Sequence, residues 1–309
     1  MTDIKNVTIL GAGNLGAQIA MFAAYNGKNV ISYDINDDAL KAAAGRFDTI
    51  GKNYLNDLED ATEEKVSEAR SRLTQTADLV EAAKDADLII EAVPENTDIK
   101  NETYSKLAEL MPEKTILATN SSTLRPSDFA ELTGRPDKYL AMHFANNIHL
   151  VNIVEVMPTA KTDPEIFRTA VDVAPEIGMV PIELNKEHPG YVINTLLIPW
   201  LDSGALLWTR NITDVETIEK VASTITRGDM FTPFYIFDRI GFGVAYHITA
   251  NNKDNPDSQE MARRLKWGLD NGYVGTESGK GFYTYDADGN RTGLSDFATR
   301  DWSTESDAD

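Results

Sequence analysis

The sequence predicts an α/β fold: a doubly wound, mostly parallel sheet followed by a helical C-terminal domain. Three observations predict it. Short apolar runs of strand length alternate with helix-like segments over residues 1–186. A glycine pattern stands between the first strand and the first helix, with an acidic residue closing the second strand. After Pro189-Gly190 the strand pattern gives way to long apolar helix-like segments. The domains that follow are 1–186, which holds the sheet, and 187–309, which is all-helical.

Val7-Thr-Ile-Leu10 is the first strand, and Gly11-Ala-Gly13-Asn14-Leu15-Gly16 follows at once, leading into Ala17–Ala24. This is G-x-G-x-x-G in the strand–turn–helix setting of a Rossmann-type dinucleotide site. Gly11 permits the tight turn, Gly13 lets the backbone approach a pyrophosphate, and Gly16 lets helix pack closely on strand. The diphosphate then sits on the positive helix N-terminus. Asn29-Val-Ile-Ser-Tyr-Asp34 is the second strand, and Asp34 stands where a carboxylate accepts from an adenosine ribose. No arginine follows in Ile35-Asn36-Asp37, so the expected cofactor is NAD rather than NADP.

Residues 36–72 are polar, Ala-rich and helix-prone, longer than a simple crossover needs, and predict a helical excursion. Its cations, among them Arg46 and Lys52, form a solvated face or hold a substrate phosphate. Leu73–Thr76 is a weak third strand and Asp87–Pro94 a strong fourth. Glu95 and Lys100 come next, either facing the ligand crevice or flanking a helix cap at Asn96 or Thr97. Thr115–Asn120 is the fifth strand, ending at the hydroxyls Ser121, Ser122 and Thr123, which cap a helix or meet a substrate oxygen. Lys138–His143 is the sixth. His143 closes it, and Glu155 lies in the next apolar run. If those runs are neighbours, the carboxylate fixes the imidazole tautomer and raises its basicity. Pro164–Ile177 reads as helix, and Val180–Leu184 as a last, irregular strand. In the second domain Tyr191–Leu207 is a long helix kinked by Pro199, and Thr213-Asp-Val-Glu216 is a capping box. Residues from Ala287 onward read as a frayed polar tail.

Composition bounds the function. With 49 acidic against 29 basic residues the formal charge is −20, which argues against nucleic acid and anionic membranes as partners. An anionic substrate must therefore be captured by local cations. The absence of cysteine removes thiolate chemistry, and four histidines at no ligand spacing predict no metal site. No apolar run reaches transmembrane length. Met1-Thr-Asp-Ile-Lys5 leaves no room for a signal peptide before the first strand, so the expected location is cytoplasmic.

Taken together, several motifs resemble the L-3-hydroxyacyl-CoA dehydrogenases, including the 3-hydroxybutyryl-CoA dehydrogenases. They are Gly11–Gly16, Asp34, Glu91-Ala-Val-Pro-Glu-Asn96 with Lys100, Asn120-Ser-Ser122, His143-Phe-Ala-Asn146, Val154-Glu155-Val156, Pro189–Asn194 and Gly279–Tyr285. The resemblance implies His143 as general base with Glu155 orienting it, Ser122 bonded to the substrate beside the nicotinamide, and Asn194 completing the site. It places Glu95, Lys100, Ser122 and Asn146 around the nicotinamide half of NAD. It further implies an acyl-CoA substrate, fatty acid metabolism and a homodimer formed through the helical domain. Where the family has Asn-Pro after its His-aromatic pair, this chain has Asn146-Asn147. The family's CoA-contacting serine and lysine have no secure counterpart; Arg46 and Lys52 lie nearest. These departures keep open a related, gulonate-type dehydrogenase of a free hydroxy acid or sugar acid, without CoA. A non-catalytic NAD-binding protein is the third reading, and the retained His143, Glu155, Ser122 and Asn194 speak against it.

Overall fold

In the computed structural model, which describes residues 1–303, the apolar runs become strands of one sheet. They are β1 (Asn6–Leu10), β2 (Asn29–Tyr33), β3 (Leu73–Thr76), β4 (Leu88–Glu91), β5 (Ile116–Thr119), β6 (Tyr139–Phe144), β7 (Ile153–Pro158) and β8 (Val180–Glu183). The order is β3-β2-β1-β4-β5-β6-β7-β8. Neighbours are parallel except β6 and β7, which pair antiparallel. Every residue of β4, β5 and β6 is buried, as expected of strands covered on both faces. The strand order reverses between β1 and β4, and a crevice at such a switch point, outside the carboxyl ends, is where these sheets bind ligands.

Helices α1 (Asn14–Tyr25), α2 (Asp37–Asp57), α3 (Glu63–Arg72), α4 (Leu79–Ala83), α5 (Thr97–Leu110) and α6 (Pro164–Glu176) accompany the sheet. The excursion is thus two helices. The break between them, residues 58–62, holds no Gly or Pro, yet Thr62 caps α3 by accepting from the Lys65 N–H, and Leu58 is extended. A capping hydroxyl followed by two glutamates was the available signal. The capping residue of α5 is Asn96, which accepts from the Asp98 and Ile99 N–H groups.

The chain divides into two compact units, Met1–Val192 and Ile193 onward. Residues 187–192 fall in the first unit, where the Tyr191 hydroxyl donates to the Ser121 carbonyl. The second unit holds α7 (Ile193–Thr209), α8 (Val215–Thr226), α9 (Pro233–Ile240), α10 (Phe242–Asn251), α11 (Pro256–Asp270) and α12 (Asp296–Thr299). It is helical apart from a hairpin of β9 (Tyr283–Tyr285) and β10 (Arg291–Leu294), so an all-helical domain is corrected in this respect. Asp214, not Thr213, caps α8.

The expected frayed tail is also corrected as far as the described residues reach. Phe297 and Trp302 are buried with Trp208, Phe242 and Phe282 in the core of the second unit. Arg264 is buried beside them. Its guanidinium lies 4.6 Å from the Trp208 ring and donates to the carbonyls of Trp208 and Thr209, at the C-terminal end of α7. Residues 304–309 of that tail lie outside the described residues.

Candidate active site

The glycine turn is built as its spacing predicts. Gly11 has φ +96°, and a side chain there would strike the Ala92 carbonyl at 2.4 Å. A Cβ on Gly16 would meet the Gly11 carbonyl at 1.9 Å, so only glycine lets α1 lie this close to β1. Gly13 has no neighbour within 4 Å of a would-be Cβ and opens outward. No side chain caps α1 and no acid lies in its first turn, leaving its N–H groups and positive end for an anion. Asn14 is exposed and Leu15 half-buried in this turn. The Asp34 carboxylate accepts from the Ala12 and Ile35 N–H groups, both at 2.8 Å. Both oxygens are thereby fixed in direction with lone pairs to spare for ribose hydroxyls. These residues fit a bound NAD.

The second cluster sits on β5, β6 and β7. His143 and Glu155 are directly opposite in the antiparallel β6–β7 register, so their side chains share one face. The His143 Nδ1 lies 2.8 Å from Glu155 Oε2, and Nε2 lies 3.0 Å from Ser122 Oγ. Glu155 is fully buried, and its Oε1 accepts from the Val192 N–H at 2.7 Å. A buried carboxylate accepts only, so the imidazole presents Nδ1–H to it and keeps the Nε2 lone pair for Ser122 or a substrate hydroxyl. Tyr191 stacks on the His143 ring at 4.4 Å between centroids and 13° between planes. Burial, then the Glu155 charge, raises the Tyr191 phenol, so it stays protonated as the donor to Ser121.

Ser122 is held by its neighbours. The Glu95 Oε1 accepts from Ser121 Oγ (2.5 Å), Thr123 N (3.0 Å), Thr123 Oγ1 (2.9 Å) and Leu124 N (3.2 Å). Burial alone would raise this carboxyl; the Ser121 and Thr123 donors and the Lys100 ammonium outweigh it and hold the pKa at about 2. Lys100 is itself buried. It binds both oxygens of the fully buried Glu91, at 2.7 and 2.8 Å, and lies 3.5 Å from Glu95. Glu91 also accepts from Tyr104 Oη and Thr119 Oγ1. Lys100 is therefore a buried counter-ion, and the network runs from it through Glu95 to the turn carrying Ser122.

The remaining expected residues lie as follows. Asn146 is exposed on the β6–β7 connection. Its neighbour Asn147 has φ +56°, a backbone that proline, fixed near −65°, cannot take. The connection is therefore folded differently from one carrying Asn-Pro. Arg46 is not an isolated surface cation: its Nη1 donates to the Ala12 carbonyl in the glycine turn at 3.2 Å. Lys52 is exposed on α2. Asn194 lies in the first turn of α7, in the second unit. Glu91, Asn120 and Tyr191 stand within the motifs above but were given no role there, and Tyr104 was not singled out. Asn120 accepts from the Phe144 N–H and so ties β5 to the His143 strand. A carboxylate ending an otherwise apolar strand, as Glu91 does, was the one available signal, since a buried charge demands a partner.

The family model of the 3-hydroxyacyl-CoA dehydrogenase NAD-binding domain matches residues 6–188, and that of the family's C-terminal domain matches residues 190–285. The chain belongs to the 3-hydroxyacyl-CoA dehydrogenase family. It is an NAD-dependent oxidoreductase of that family. Among curated relatives, this dehydrogenase is 31% identical over 291 residues to the mitochondrial hydroxyacyl-coenzyme A dehydrogenase of Homo sapiens, with 91% of each chain covered. It is 30% identical over 288 residues to a probable 3-hydroxybutyryl-CoA dehydrogenase of Bacillus subtilis, covering 92% of this chain and 98% of that one. Among solved structures it is similar to a diketoreductase described by its substrate-directed dual catalysis of dicarbonyl compounds. That match has a TM-score of 0.87 and 49% identity, covering 92% of this chain and 100% of the other.

Proposed function

We propose that this dehydrogenase interconverts an L-3-hydroxyacyl compound and its 3-oxoacyl partner, with His143 as general base and Glu155 as its carboxylate. The observation carrying this reading is the unbroken chain Ser122 Oγ–His143 Nε2–Glu155 Oε2, at 3.0 and 2.8 Å. Bound NAD supplies the hydride acceptor. The chain's own residues handle the proton. Ser122 orients the 3-hydroxyl by hydrogen bonding, and His143 Nε2 removes its proton as the carbonyl forms. The imidazolium that results is stabilised by the Glu155 carboxylate, which holds the ring in place. In reduction the same imidazolium returns the proton to the carbonyl oxygen. Gly11, Gly13, Asn14, Leu15, Gly16 and Asp34 hold the dinucleotide. Glu95, Lys100, Ser122 and Asn146 are assigned to its nicotinamide side, and Asn194 to completing the site at the reacting carbon.

The family reading makes the acyl group a CoA thioester, as in fatty acid metabolism. A second reading, a free dicarbonyl or hydroxy acid, is favoured by the helical excursion. Its cations Lys65, Arg72 and Arg70 face its own Asp60, Glu68 and Asp48 at 2.7, 3.1 and 3.9 Å. Arg46 is turned to the glycine turn. Lys41 and Lys52, both exposed and, among the described residues, without a carboxylate within 4.0 Å, are the cations left on the excursion for the phosphates of CoA, and the relative at 49% identity acts on dicarbonyl compounds. A panel of acetoacetyl-CoA and free 3-oxo acids, followed by NADH absorbance, separates the two. Turnover of neither, by protein that binds NADH, would refute the reaction itself. Replacing His143 by Gln is expected to leave NAD binding intact and abolish turnover.

The exposed apolar residues Leu196, Ile198, Val221, Ile225, Val244 and Ile248 of the second unit support a homodimer through that unit. No helix among the described residues is long and apolar enough to cross a membrane.

A further inference from the structure

We propose that Arg46 is a cofactor-selectivity residue: it clamps the adenosine half of NAD and would seat a 2′-phosphate if Asp34 were removed. The inference rests on one residue being held from both sides. Ala12 stands between Gly11 and Gly13, where the dinucleotide must pass closest to backbone. Its N–H donates to Asp34 Oδ2 at 2.8 Å, and its carbonyl accepts from Arg46 Nη1 at 3.2 Å. A ribose seated on Asp34 therefore lies within reach of the Arg46 guanidinium. α2 begins just after Asp34, and its third turn brings Arg46 back over the glycine turn.

The charge pattern supports a ligand role. Lys65, Arg70 and Arg72 on the same excursion have acidic partners, and among the described residues Lys41 and Lys52 have none but make no bond to the glycine turn; Arg46 alone of the six donates there. Among the described residues, no Asp or Glu stands within 4.0 Å of Arg46. On a chain of formal charge −20, a guanidinium is thus kept without a carboxylate at the cofactor turn. Four of its five N–H donors are left by the bond to Ala12. A guanidinium there stacks on an adenine face or donates to the diphosphate, and its planar fork also matches a phosphate monoester. Asp34 is then the sole residue of this pair that rejects NADP. Absence of arginine from Ile35-Asn36-Asp37 does not leave the subsite without a cation, because the fold supplies one from residue 46.

Isothermal titration calorimetry tests this without relying on turnover. Arg46→Ala should weaken NAD+ and ADP-ribose alike by about three- to tenfold, the scale of one charge-assisted contact. Nicotinamide mononucleotide, which lacks the adenosine half, should be unaffected. Asp34→Ser should bind NADP+ at least about tenfold tighter than wild type, and adding Arg46→Ala should remove that gain. Arg46 is exposed, so its substitution does not threaten folding. If Asp34→Ser fails to fold, the single Arg46→Ala titration decides. ADP-ribose affinity within twofold of wild type in Arg46→Ala would overturn the proposal, as would a double variant that keeps its NADP+ gain. Wild-type protein that binds neither dinucleotide would instead overturn the cofactor assignment, and the proposal with it.

Discussion

Replacing Glu155 by Gln is the sharpest perturbation of the acid–base chain, because it keeps shape and removes charge. Glu155 is fully buried, with Oε1 on the Val192 N–H and Oε2 on His143 Nδ1. In the variant the amide oxygen stays on Val192, since the amide nitrogen cannot accept that bond. The NH2 group then faces Nδ1 and forces it to become the acceptor. The imidazole proton moves to Nε2, which points at Ser122, and the ring can no longer take a proton there. The lost charge has its own cost. At the observed 2.8 Å and an effective dielectric near 20, carboxylate and imidazolium attract by roughly 6 kcal/mol. At about 1.4 kcal/mol per decade this corresponds to roughly 10⁴ in rate, the upper end of what a general base contributes. The expected result is a kcat lower by about 10³–10⁴ for the better substrate class, with calorimetric NADH affinity unchanged. The assay is NADH absorbance under saturating 3-oxo substrate, with near-ultraviolet circular dichroism to confirm the fold. A folded variant retaining a tenth of wild-type kcat would refute the role given to Glu155.

Three further outcomes are expected. Lys100→Met leaves Glu91 as a buried carboxylate without a counter-ion and should cost about 3–5 kcal/mol in urea unfolding of the first unit. A Glu91→Gln/Lys100→Met double variant should recover most of that loss; equal stability of single and double variants would count against the pairing. Gly16→Ala drives a methyl into the Gly11 carbonyl, so it should abolish NAD+ binding in calorimetry and lower the melting temperature. Burial pushes the Asp238 carboxyl up to about 7, against the donors of Tyr283, Phe282 and Tyr285. A raised acid keeps in the folded state a proton that the unfolded chain has released, so its contribution to stability falls from about pH 4 to about pH 7 and is level above. The full shift of roughly 3 pH units corresponds to at most about 4 kcal/mol. Asp238→Asn should flatten that part of the stability curve in melts at pH 4.5 to 8, and an unchanged slope would exclude Asp238 as its origin.

The sheet was legible because its strands are short, almost wholly apolar and bounded by polar turns. Such runs have few alternatives once a glycine turn fixes the first of them. The meeting of His143 and Glu155 was legible as a condition, that the two runs be neighbours, and the register meets it. Less could be read where charge is buried. Lys100 sits in a helix of polar composition, and nothing in the periodicity distinguishes it from a solvated lysine. Its burial follows from Glu91, nine residues earlier, across the sheet–helix layer. The end of the chain misled for the opposite reason. Phe297 and Trp302 are isolated aromatics in a polar background, yet each reaches the second core. Asp288-Gly289, a familiar hairpin signal with Gly289 at φ +82°, marks the β9–β10 turn that was passed over. The bond from Arg46 to the Ala12 carbonyl was not legible, because linear distance from Asp34 says nothing of where the third turn of a helix points.

Because His143 and Glu155 face each other as rungs of one antiparallel ladder, their separation is set by backbone pairing and not by what joins the strands. Leu150 and Val151, in the link, are exposed. Exchange or extension at these two positions accordingly leaves the alignment for proton transfer in place, whereas Ile148, buried in the main core, and His149, bonded to Asp57, anchor the rest of the link.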